Sequence, residues 1–138
     1  MEITRQADYA VRAVLEIANL PEGRRISTAE VAERQRIPVT FLAKIIAQLA
    51  ITGIVETTRG AHGGVRLARP PEAINMLEVI EAIDGPVTLN ACVIDPANCV
   101  FASECAVRDV WCDAQSMLTG KLRATTFAQL TKSNSSGL

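Results

Sequence analysis

Residues 27–70, STAEVAERQRIPVTFLAKIIAQLAITGIVETTRGAHGGVRLARP, decide the fold of this chain. Ser27 and Glu30 stand three apart just before Val31 and Ala32, the signature of a capping box that opens a short helix running to about Gln35. Ile37, Pro38 and Val39 then read as a turn, because a proline pushes the residue before it out of the helical region. A further helix is expected over about residues 40–52, closed by Gly53, with Phe41, Leu42, Ile45, Ile46 and Leu49 as its buried stripe. Thr40, Lys44 and Gln48 recur every four residues on its other face. The run ETTRGAHGGVRLARP predicts two short strands, residues 54–57 and 65–68, joined by a glycine-rich turn.

Upstream, Thr4 can cap a helix whose apolar positions are Tyr9, Ala10, Ala13, Val14, Ile17 and Ala18, and Pro21 and Gly23 end it. Downstream, Pro70 and Pro71 separate the hairpin from a helix over roughly residues 75–83, stopped by Asp84, Gly85 and Pro86. A long periodic stretch follows from Ala106 to about Leu130, with Val107, Val110, Trp111, Ala114, Met117, Leu118, Leu122 and Thr125 along one stripe. Gly120 interrupts its propensity at a cost of about 1 kcal/mol without having to end it. Short helix, tight turn, helix, hairpin is the order of a winged helix-turn-helix. The expected fold is therefore mainly α. A winged domain over residues 1–85 leads into a loop at 86–105, a long C-terminal dimerisation helix at 106–131, and a flexible polar tail at 132–138.

With 138 residues, 49% of them hydrophobic, the chain can bury a core of its own, and the net charge of −1 argues against indiscriminate binding of nucleic acid. Halving the chain changes that picture. Residues 1–69 carry ten Lys/Arg and seven Asp/Glu, a net of +3, and residues 70–138 carry four and eight, a net of −4. A mildly basic front joined to an acidic back suits a nucleic-acid-facing module attached to something else. No window reaches the apolar length of a membrane span and no secretory leader is evident, so the expected location is the cytoplasm, where structural disulfides are uncommon.

An α-helix fits the major groove, and Thr40, Lys44 and Gln48 offer one set of groove-facing polar groups. Arg59, Arg66 and His62 sit where a hairpin tip can reach a neighbouring backbone or minor groove. The bland alternative is ordinary solvated residues on a module that binds proteins. The long C-terminal stripe exceeds what a small winged domain needs to cover itself. Packed against a second copy it gives a two-fold homodimer, which matches palindromic DNA; folded back, it covers its own domain.

The chain has four cysteines, and three of them, Cys92, Cys99 and Cys105, lie at gaps of six and five residues in the segment CVIDPANCVFASEC. Zinc sites favour tighter knuckles, whereas a bulkier iron–sulfur cluster draws ligands from separated points. Iron–sulfur, zinc, redox-switch and inert thiols all stay open on spacing. Cys112 is a poor fourth ligand, since seven residues of helix beyond Cys105 place it about 10 Å along the axis. Cys105 itself would stand at a helix N-terminus, where the dipole favours thiolate. With one histidine and no paired carboxylates or nucleophile–base arrangement, an enzyme is not expected.

The segments ITRQADYAVRAVLEIA and IPVTFLAKIIAQLAITGIVETTRGAHGGVRLARP, followed by the triple-cysteine loop and RDVW, together resemble the bacterial iron–sulfur winged-helix transcriptional regulators of the IscR, NsrR and RirA type. The resemblance covers about residues 1–130. It implies a homodimer crossed through the long C-terminal helix, bound to a palindromic operator, with Cys92, Cys99 and Cys105 as cluster ligands. The IscR-like pattern has a histidine three positions after the third cysteine; Arg108 stands there in this chain. The NsrR-like pattern takes its fourth ligand from an aspartate early in the first helix of the other subunit, and Asp8 occupies the matching place. The resemblance thus implies a 4Fe–4S cluster held by three cysteines and Asp8, with 2Fe–2S second, sensing nitric oxide, iron or redox state. It also aligns Thr40, Lys44 and Gln48 with the family's groove-facing side and Gly60, Gly63 and Gly64 with its wing turn; Arg59, immediately before that turn, is the wing residue expected to meet DNA. The rival functional readings are a cluster-free regulator whose thiols sense oxidants and a zinc-bound protein-interaction module.

Overall fold

The structure is a computed structural model that describes residues 2–89 and 106–136, with side chains described as far as residue 131. In chain order it contains α1 (Arg5–Ala18), α2 (Thr28–Gln35), α3 (Val39–Ile51), β1 (Val55–Thr58), β2 (Gly64–Leu67), a 3-10 turn (Pro71–Ala73), α4 (Met76–Asp84), α5 (Ala106–Ala124) and α6 (Phe127–Ser136). This is the expected winged helix-turn-helix, mainly helical with one small sheet.

Side-chain caps set the helix starts. The Thr4 hydroxyl accepts the Ala7 N–H at 3.1 Å and the Ser27 hydroxyl accepts the Glu30 N–H at 3.1 Å. At α4 the box is reciprocal: Asn75 Oδ1 accepts from the Glu78 N–H at 2.9 Å, and Glu78 Oε2 accepts from the Asn75 N–H at 3.2 Å. The turn from α2 to α3 depends on Arg36, which is left-handed at φ 55° although it is not glycine. Its neighbour Ile37 donates back to the Ala32 carbonyl at 2.9 Å and buries its side chain, closing α2 as a Schellman turn.

α1 runs through the middle of the domain and packs on α2, α3, α4, α6 and β2. Its Ala10, Ala13, Val14 and Ile17 meet Val31, Leu42, Ile45, Leu49, Ile54 and Val65 in the main core. The wing strands are antiparallel, with Val55 opposite Leu67 and Thr58 opposite Gly64. Ile26 joins them through paired backbone bonds with Val65 of 3.0 and 2.8 Å. Gly64 makes that approach possible: at φ 144°, any Cβ on it would stand 2.8 Å from the Ile26 carbonyl oxygen.

Three details differ from the sequence reading. Phe41, expected in the buried stripe of α3, is 48% exposed, because Leu42, Ile45, Ile46 and Leu49 alone fill the inward face. The strands sit within a residue of their expected bounds. The single helix expected over residues 106–131 is two, broken at Thr125 and Thr126, and α6 continues to Ser136 through the stretch expected to be a polar tail. The break has a local cause. The Thr126 hydroxyl and the Gln129 N–H pair at 3.3 Å while Gln129 Oε1 and the Thr126 N–H pair at 3.3 Å, a reciprocal cap. Phe127 then turns inward with no exposed surface, and its N–H donates to the Ile74 carbonyl at 3.0 Å. α6 therefore closes onto α1 and the 3-10 turn.

Candidate functional site

α3 presents a broad solvent face opposite its buried residues. Thr40, Lys44 and Gln48 all lie on it and are all exposed. They span eight residues, about 12 Å of helix, comparable to the width of the major groove. Pro38 starts α3 without a side-chain cap, so its first N–H groups have no side-chain partner at the end that carries Thr40.

The wing tip is built by glycine. The Gly63 N–H donates to the Gly60 carbonyl at 3.0 Å, and a Cβ on Gly63 would lie 2.1 Å from the Thr58 carbonyl oxygen. That tightness holds Arg59 on the exposed turn just before Gly60. Arg66, by contrast, is engaged within the sheet, with Nη2 3.0 Å from Glu56. On α2, Arg34 binds Glu16 of α1 at 3.1 Å and Glu30 at 2.8 Å. The hydrogen bond that Arg34 donates to Glu16, then the charge of Glu30, holds its guanidinium above the ordinary value. Among the described residues, Lys44 and Arg59 make no ion pair, so both cations are available to a polyanion. His62 is exposed in the same turn.

Of the expected cluster ligands, Cys92, Cys99 and Cys105 lie outside the described residues. Asp8 is on the solvent side of α1, its carboxylate 2.9 Å from Arg12 Nε, with about half of each side chain exposed. Cys112 is half-buried on α5. Among the described residues no three His, Cys, Asp or Glu side chains gather as a metal site. α5 itself divides in two. Leu118 and Leu122 pack with Ala7, Val11, Leu77, Ile80 and Val87. Its first half instead leaves Val107 51%, Val110 60%, Trp111 39% and Met117 76% exposed. Val107, Val110 and Trp111 lie within about one turn, Met117 stands two turns beyond Val110 on the same face, and the row begins two residues after Cys105.

Two functional contacts escaped the sequence reading. Gln115 of α5 accepts the Leu89 N–H at 2.8 Å and donates to the Val87 carbonyl, fastening the segment that follows α4 toward the cysteines. Asp84 at the end of α4 takes hydrogen bonds from the Thr4 hydroxyl and from the Thr4 N–H, joining the two ends of the winged domain. Neither long-range pair leaves a local signal in the sequence. The Thr126–Gln129 cap does, since T-x-x-Q is a helix-start pattern.

Comparison with known proteins agrees with this arrangement. Residues 3–133 match the Rrf2 family model, described as an iron-dependent transcriptional regulator. The chain is 32% identical over 130 residues to the HTH-type transcriptional regulator IscR of Escherichia coli O1:K1, covering 94% of this chain and 80% of that protein. The solved structure of T. potens IscR superposes with a TM-score of 0.78 at 25% identity, over 97% of this chain and 88% of the other. CymR, the global cysteine regulator of B. subtilis, shares the fold with a TM-score of 0.82 at 22% identity, over 96% and 97%. No helix among the described residues is long and apolar enough to cross a membrane. With the helix-turn-helix, the wing and a family match along nearly its whole length, the protein belongs to the Rrf2 family of DNA-binding transcriptional regulators and is not an enzyme.

Proposed function

We propose that the protein is a cytoplasmic, homodimeric regulator that reads palindromic duplex DNA and whose occupancy of DNA depends on an iron–sulfur cluster. Thr40, Lys44 and Gln48 of α3 enter the major groove and Arg59 of the wing grips the flanking backbone. Cys92, Cys99 and Cys105 hold the cluster, a 4Fe–4S in preference to a 2Fe–2S, and Asp8 of the partner subunit supplies the fourth ligand. The donor set fits such a group: three thiolates and one accessible carboxylate.

The carrying observation is the exposed apolar row on the first half of α5, directly after Cys105. Burying Val107, Val110, Trp111 and Met117 against a second copy would place each cysteine segment at the edge of the dimer seam. The position of Asp8 supports a contribution from the other subunit. Its neighbour Ala7 packs in the cluster that contains Leu118 and Leu122, and Ala106 lies 12 residues before Leu118, about 18 Å along the axis. A carboxylate from a second chain is the simpler source.

When bound, the cluster supplies a centre that reacts with nitric oxide or oxidants, or reports iron supply. The chain's own residues do the rest. The three thiolates tie the segment to the start of α5, Gln115 fastens its other end to the middle of α5, and Asp8 ties it to the partner's α1. Loosening those ties changes the spacing of the two α3 helices, and a few kcal/mol of mismatch empties an operator at cellular concentrations.

The test is purification without oxygen, iron and sulfide counts, an absorbance spectrum, and titration of DNA by loaded and cluster-free protein at one salt concentration. Bound iron and sulfide with unequal affinities are expected. Equal affinity and sequence preference in both states would reject cluster gating. Colourless protein whose DNA binding follows thiol oxidation would identify a cluster-free thiol sensor, and zinc without operator binding an interaction module.

A further inference from the structure

The solvent face of α3 carries a second row beside the polar one. Val39, Ala43 and Ala47 follow one another at four-residue spacing, adjacent to Thr40, Lys44 and Gln48, and every one of the six is exposed. Val39, at 52%, is a large apolar side chain left in water by its own fold. The inward face is already complete with Leu42, Ile45, Ile46 and Leu49, so this row has no packing role within the domain. A protein-docking stripe would need larger anchors than two alanines, and here the stripe interlocks with a free lysine. Small apolar groups beside hydrogen-bonding ones are what a helix needs to lie close to the floor of the major groove.

Only one natural base edge there is apolar: the 5-methyl group of thymine. We infer that Val39 and Ala43, with Ala47 behind them, are specificity-determining residues that read thymine methyl groups in each half-site. The N-terminal part of a recognition helix is the part that meets base edges, which favours Val39 and Ala43 over Ala47. Four residues of helix advance about 6 Å and a base step about 3.4 Å, so the two readings fall about two base steps apart. The inference rests on α3 being the DNA-reading helix, as proposed above, and adds what it reads.

The experiment uses the full chain, purified without oxygen. Bound sequences are first selected from a random duplex library. Each thymine of the selected site is then replaced singly by uracil, which keeps base pairing and removes only the methyl. Two positions per half-site should weaken binding about fourfold each, the effect of leaving one methyl unburied. Ala43→Ser and Val39→Ser, both at exposed positions, should each abolish the response at one of those positions and keep it at the other. Wild-type protein that binds uracil and thymine duplexes equally, or a selection that enriches no sequence, would overturn the inference. Lys44→Ala and Gln48→Ala separate the two levels. If they weaken binding while uracil has no effect, only the methyl reading fails. If neither changes affinity or the selected sequence, α3 is not the reading helix and both fail.

Discussion

Gln115, in the middle of α5, accepts a hydrogen bond from the backbone N–H of Leu89 at 2.8 Å, and its amide also donates to the carbonyl of Val87. One side chain thus satisfies two backbone groups of the segment that leads out of the winged domain. Val87 is itself buried against Leu77 and Ile80, so this segment is held by packing on one side and by Gln115 on the other.

Replacing Gln115 by leucine keeps the volume and removes both bonds, leaving two partly buried backbone groups without partners. The expected loss is about 1–3 kcal/mol of stability, read by urea unfolding. If the protein holds the proposed cluster, the same change should hasten bleaching of the visible absorbance under a chelator. Unchanged unfolding would show that water replaces Gln115 at no cost.

Asp8 and Cys112 give opposite expectations. Asp8→Ala removes one exposed ion pair with Arg12, so the fold should lose at most about 1 kcal/mol. On the proposed ligand set, iron and sulfide content after anaerobic purification should nevertheless fall or prove unstable. Cys112→Ala should leave iron and sulfide counts near wild type. A reversal of these two results would reassign the fourth ligand.

The wing offers a geometric test. Gly63→Ala places a methyl 2.1 Å from the Thr58 carbonyl oxygen, so the tip must open and carry Arg59 with it. DNA affinity should drop while α1 to α3 keep their helical circular dichroism. Arg59→Ala leaves the turn intact and, in the proposed complex, removes one phosphate contact per wing. It should weaken binding to all sequences alike and reduce the salt slope by about 1 for each wing. An unaltered slope would remove Arg59 from the interface.

Phe127→Ala should cost about 3–5 kcal/mol, because the ring is fully buried in the main core and the change leaves a large cavity. Thr126→Ala, which removes only the cap, should cost about 1 kcal/mol. Thermal or urea unfolding of the two variants measures both. Equal small losses would mean that α6 detaches readily from the winged domain.

Much of this molecule was legible in order along the chain. The capping signals at Thr4 and Ser27, the glycine turn and the four-residue recurrence of Thr40, Lys44 and Gln48 all act within a few residues. Such features determine where helices start and which residues share a face, and the winged helix follows from their succession. Phe41 shows the limit: a stripe at helical spacing says which residues are adjacent, not how wide a face the neighbours cover. Four residues sufficed, and Phe41 stayed in water.

What only the tertiary structure decided are the contacts between distant segments: Thr4 with Asp84, Gln115 with Leu89, and Phe127 seated beneath Ile74. Periodicity ran unbroken from Ala106 to Leu130, yet the helix stops at Ala124. Burying Phe127 in the main core outweighs the helical turn broken at Thr125 and Thr126, and the helix resumes at once as α6. Local sequence fixes torsion angles and faces; which apolar group wins the shared interior is settled only when all the elements compete for it.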